Sequence, residues 1–132
     1  MTPPSLDEVV DLGAHRLHDE AYRSQCRSTL DRDGALLLGG FLRAAVVESL
    51  VAEAESLQHL AFYSDQTHTV YLETTDATLP ADDARSREVV STKGAVTTDQ
   101  VPGSSALRTV YDATVFRSFL CAVLGEDELH DY

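Results

Sequence analysis

"DQVPGSSALRTVYDATVFRSFLCAVLG", residues 99–125, contains a turn, a short helix, a longer apolar helix and a glycine stop, with no evident chemistry. Pro102 and Gly103 end whatever precedes them, and Asp99 ahead of "QVP" suits an Asx-type turn. Ser104 or Ser105 is placed to cap a helix through Tyr111. Val115, Phe116, Phe119, Leu120, Val123 and Leu124 form a wide apolar face, and Gly125 sits where a C-cap belongs. The spacing therefore predicts a helical pair over 104–125. Its apolar face needs a body to pack on, and "EDELHDY" after it offers no further helical partner.

Working outward, the rest of the chain reads as α+β. Residues 5–30 have apolar positions at helix spacing (Leu6, Val9, Val10, Leu17, Ala21, Tyr22), with Ser5 and Glu8 placed as a capping box. Gly13 is a point at which this helical arm breaks into two. "DRDG" at 31–34 reads as a turn, and "ALLLGGFL" after it as a short buried strand. Residues 43–60 are expected as an amphipathic helix. Val46, Val47, Leu50, Val51, Ala54 and Leu57 lie inward, with Glu48, Glu53 and Glu55 toward solvent. "HTVYLET", 68–74, alternates as a strand should. "TDATLPADDARSRE" is a polar loop, and "EVVSTKGAVTT" reads as a hairpin about Lys93-Gly94. The whole is expected as one domain. It comprises an arm over 5–30, a strand plus helix over 34–60, strands and a polar loop over 66–100, and the helical pair.

Composition narrows the function. Among 132 residues, 22 Asp plus Glu stand against 10 Lys plus Arg, a formal charge of −12. Nucleic acid and anionic membrane surfaces are thereby disfavoured as partners. No apolar run approaches a membrane span, and the first residues carry neither a basic n-region nor an apolar h-region, so a cytoplasmic protein is expected. Cys26 and Cys121 stand far apart without ligand spacing and are expected as reduced thiols.

The residues that could carry chemistry are few. No phosphate-cradling glycine loop and no GxSxG elbow is present. His15 and His18 with Asp11 and Asp19 lie at i,i+3 and i,i+4 spacing if the first helix is continuous, which would allow a surface metal or simply a solvated polar face. His18-Asp19-Glu20 formally satisfies His-x-Glu, but on a helix the first and third residues diverge. His68 heads a strand and is expected to pack or hydrogen-bond, while His59 and His130 stand alone near helix ends, where a cation is favoured. Arg87 and Arg85 in "DDARSRE" are the candidates for clamping a carboxylate with parallel hydrogen bonds; the competing reading pairs them with Asp82, Asp83 or Glu88.

"GALLLGGFL" followed by an amphipathic helix, and "TTDQVPGSSALRTVYDATVFRSFLCAVLG" later, resemble the N-terminal region of iron(II)/2-oxoglutarate-dependent oxygenases. The bacterial branch that includes amino-acid halogenases and hydroxylases is the one resembled, over roughly residues 30–130. The resemblance implies a double-stranded β-helix core binding Fe(II) through His-x-Asp and a distant His. A small residue stands for the Asp in halogenating members, and 2-oxoglutarate chelates the iron. None of those ligands matches a residue here, so no catalytic and no metal residue is assigned. The β-helix is expected outside this chain, which would be a supporting and substrate-loop region, not catalytic alone, with Arg87 and then Arg85 meeting the carboxylate of an amino-acid-like substrate. Its expected partner is that core, or another copy through exposed apolar helix faces. A complete small acidic α+β partner-binding protein, with no enzymatic activity, is the alternative.

Overall fold

The computed structural model describes residues 1–130. Among them are five α-helices and one two-stranded antiparallel sheet, so the chain is α+β. It divides into two compact units, one formed by Met1–Ser56 with the chain from Val101 onward, the other by Leu57–Gln100.

The first unit is helical. α1 (Leu6–Val9) opens on the capping box: the Ser5 N–H donates to Glu8 Oε2 at 2.7 Å. That hydrogen bond, with a second from the Ser5 hydroxyl, holds the Glu8 carboxyl below its ordinary range. The predicted arm is not one helix. It stops after Val9, and Val10 forms an antiparallel bridge with Leu42. The break therefore precedes Gly13 and has a tertiary cause, the pairing of Asp11 N–H with Phe41 O and of Arg43 N–H with Val9 O.

α2 (Glu20–Asp33) starts where the Asp19 side chain accepts from Tyr22 N–H at 2.7 Å, and ends at Gly34 with φ 70°. Only glycine takes that left-handed conformation without a penalty, so "DRDG" is the last turn of a helix and not a separate turn. α3 (Ala44–Leu57) runs into a 3-10 turn at Gln58–Leu60. α4 (Ala106–Tyr111) is capped by Ser105, and α5 (Thr114–Leu124) ends at Gly125 with φ 74°.

The core lies between α2 and α5. Leu17, Cys26, Phe119 and Val123 are its buried centre, with Leu6, Leu12, Leu30, Leu36, Leu38 and Val115 among those packed around it. Five rings close a circuit. Tyr22 stacks on Phe119 (6.0 Å between centroids), Phe119 on Phe116 (6.4 Å), and Phe116 tilts on Phe41 (5.5 Å). Phe41 then meets His15 edge-on (5.5 Å), and His15 returns to Tyr22 (6.2 Å). Each pair adds about 0.5–1.5 kcal/mol beyond its buried area.

"ALLLGGFL" is not a strand. Leu36, Leu38 and Phe41 turn inward while Leu37 is 92% exposed, and beyond Leu42 no neighbour supplies a ladder. The segment is a loop pinned by alternate side chains. Nor does α3 sort as expected. Its half-buried stripe is Val46, Leu50, Glu53 and Leu57, while Val47 and Val51 stand 44% and 53% exposed. Glu53 turns inward because its carboxylate accepts from the Ser105 hydroxyl at 2.7 Å, which rotates the helix away from a purely apolar contact.

The second unit is the sheet and its connections. β1 (Phe62–Thr69) pairs with β2 (Glu88–Ala95) from Phe62↔Ala95 to Thr69↔Glu88. The predicted strand 68–74 therefore overlaps β1 only at its end. Beyond Thr69 the chain turns: Leu72 N–H donates to Thr69 O, Thr69 N–H to Glu73 O, and Leu72 takes φ 63°. The expected hairpin at Lys93-Gly94 is absent, since β2 runs straight through both residues. Gly94 instead lies opposite Tyr63, whose ring occupies the space a Cβ would need, at 2.6 Å.

Candidate functional site

The loop from 70 to 87 carries the two arginines singled out from sequence. Asp76 accepts from the backbone and hydroxyl of Thr78, an Asx turn that opens the loop. Asp83 caps the 3-10 turn Ala84–Ser86 by accepting from Arg85 N–H at 2.9 Å. The Arg85 guanidinium closes on the same carboxylate with two hydrogen bonds, 3.0 Å from Nε and 2.8 Å from the terminal nitrogen. That fork pulls the Asp83 carboxyl down to about 2 and leaves Arg85 occupied. Arg87 is exposed and forms no ion pair among the described residues; Glu88 is engaged by Thr75 instead, at 2.7 Å. The two candidates are thus separated: Arg85 is held by Asp83 within the loop, and Arg87 is exposed.

His15 and His68 are engaged at both ring nitrogens. His15 is buried between elements, its Nε2–H donating to Gly39 O at 2.9 Å and its Nδ1 accepting from the Tyr22 hydroxyl at 2.7 Å. A carbonyl only accepts, which fixes that tautomer. Both ring nitrogens are used, Asp11 accepts from Ala14 N–H and Asp19 caps α2, so this set does not converge on a metal. The same logic applies to His68, whose Nδ1–H donates to Thr69 O at 2.7 Å and whose Nε2 accepts from the Ser91 hydroxyl at 3.0 Å. That pairing ties adjacent strands across the face shared by His68, Val89 and Ser91.

The His-x-Glu geometry differs from expectation. His18 precedes α2 and is not helical, so His18 and Glu20 line one cleft. No group of three His, Cys, Asp or Glu side chains suited to a metal occurs among the described residues.

What the sequence did not indicate is the exposure of the sheet unit. From Leu57 to Gln100 only Thr69 is buried, while Phe62 is 70% exposed and Val90 69%. Tyr63, Tyr71 and Leu72 are exposed as well. Two strands expose both outer edges, each a row of backbone groups available for pairing. A two-stranded sheet of this kind is marginal in water without a covering body. The signal was available in "FYSDQTHT", residues 62–69, where no alternating apolar face exists. No helix among the described residues is long and apolar enough to cross a membrane. No family model, no curated protein and no solved structure matches the chain.

Proposed function

We propose that this chain is the N-terminal supporting and substrate-loop region of an iron(II)/2-oxoglutarate-dependent oxygenase, hydroxylase or halogenase, acting on a small amino-acid-like substrate. The carrying observation is the sheet without a core: β1 and β2 bury one residue between them and leave Phe62, Tyr63 and Val90 in solvent. Strands of that kind are suited to joining a larger β structure, which would cover one face and pair an edge. Val47 and Val51 of α3 add an apolar stripe of the kind a covering body would bury. Arg87, unpaired beside the strand, serves as the substrate-carboxylate contact in this reading. The iron and 2-oxoglutarate belong to the covering β-helix, and no step of the reaction is assigned to the residues described here.

The test is the natural protein isolated from its own host. Its intact mass is expected well above the 14.4 kDa of this chain. It is expected to consume 2-oxoglutarate with iron(II) and an amino acid, while the 132-residue chain alone does not. A natural protein of 14.4 kDa that consumes none would favour a small partner-binding protein. Turnover by the 132-residue chain alone would equally refute the proposal.

A further inference from the structure

α2 carries a second arginine pair, and its surroundings differ from those of Arg85. A cleft of about 560 Å³ is lined by His18, Glu20, Arg23, Ser24, Arg27 and Ala122. That volume is within the range of small-ligand sites. Arg23 and Arg27 are one helical turn apart on α2, so their guanidiniums project from the same face. Like charges at this spacing repel each other unless something anionic lies between them.

The chain has carboxylates in excess, yet they do not satisfy this pair. Arg23 is half-buried and its Nε–H is tied to Leu17 O, which fixes the plane of the guanidinium. It forms no ion pair among the described residues. Arg27 has Asp31 at 3.9 Å, with both side chains more than half exposed, a pair worth little in water. Its guanidinium lies over Gly125, where an added Cβ would come within 2.7 Å of it. One oriented guanidinium, a second exposed one, a serine and an imidazole therefore line one cleft, with Glu20 as the single carboxylate on its lining.

We propose that this cleft binds a small oxyanion carrying at least two acidic oxygens, a phosphate group or a dicarboxylate. Planar guanidiniums match such oxygens through paired, charge-assisted hydrogen bonds. Glu20 repels anything extended and highly charged, which restricts the ligand to a compact anion. The site lies wholly in the helical unit and does not depend on the oxygenase reading.

Inorganic phosphate and malonate are the probes, each titrated at fixed ionic strength against chloride while the Nε–H resonances of Arg23 and Arg27 are followed by NMR. Saturable shifts are expected with a dissociation constant of about 1 mM or below. Tighter phosphate binding would assign a phosphate ligand, tighter malonate binding a dicarboxylate. Arg27→Gln, at an exposed position, is expected to weaken binding roughly tenfold. Arg23→Gln should do the same, whereas Arg32→Gln, on the same helix but paired with Asp33, should leave it unchanged. Shifts that never saturate with either probe, or binding unaltered in Arg27→Gln, would overturn the proposal.

Discussion

Replacing Phe119 by Ala removes the ring shared by two contacts of the aromatic circuit. Phe119 is fully buried, 6.0 Å from Tyr22 and 6.4 Å from Phe116. Truncating a buried phenylalanine costs about 3–5 kcal/mol, including the cavity left behind. The two lost ring pairs lie inside that range and push the value toward its upper part. Small domains have only about 5–15 kcal/mol of stability in total, so the helical unit is expected to lose about 4 kcal/mol and approach its unfolding threshold. Val47→Ala is the control: Val47 is 44% exposed, and its truncation should cost under about 0.5 kcal/mol. The chain has no tryptophan, so urea unfolding is best followed by helical circular dichroism together with near-ultraviolet dichroism of tyrosine. A loss below about 1 kcal/mol for Phe119→Ala would refute the placement of the core between α2 and α5.

Three further outcomes follow from the same contacts. The Tyr22 hydroxyl is pushed up to about 12, first by burial and then by its hydrogen bond with Cys26, so ultraviolet titration should show it ionising after the exposed tyrosines. Because the neutral form is favoured in the folded state, this contribution to stability is complete below pH 10 and is lost as pH rises through about 12. The Asp83 carboxyl, depressed to about 2 by Arg85, favours the folded loop above its ordinary value of 3.8 and loses that effect as pH falls toward 2; in Arg85→Gln, carbon NMR should find it titrating nearer 3.8. Leu72→Gly should stabilise its turn by up to about 1 kcal/mol, since Leu72 sits at φ 63° and is 77% exposed, and slower amide exchange at Thr69 and Leu72 would show it.

Local chemistry made the helices legible and tertiary pairing obscured the strands. Ser5, Ser105 and Gly125 each signal a helix end by side-chain or φ requirements that depend on a few neighbours, and each does so in the fold. Asp19 and Gly34 act by the same rules, but the apolar spacing across Val10 to Leu17 masked the break between α1 and α2. β1 has no apolar alternation because no face of it is buried, so periodicity had nothing to report. Conversely, Val70, Tyr71 and Leu72 have strand-like residue types yet lie in a turn, since the partner strand ends its pairing at Glu88. Of the arginines, Arg85 pairs with Asp83, one of the three carboxylates the sequence left open as its partner. The Arg23–Arg27 pair was not singled out from sequence, since the cleft it lines depends on Leu17 O and Ala122, which are not local to the pair.

Amide hydrogen exchange of the isolated chain tests the central claim, that the sheet unit has no core of its own. Amides in β1 and β2 are expected to exchange at least about a hundredfold faster than those in the middle of α2 and α5, a gap of roughly 3 kcal/mol in opening free energy. Strand amides protected as strongly as those around Cys26 and Phe119 would mean that the sheet is stable uncovered, and would contradict its proposed role as a surface for a larger β body.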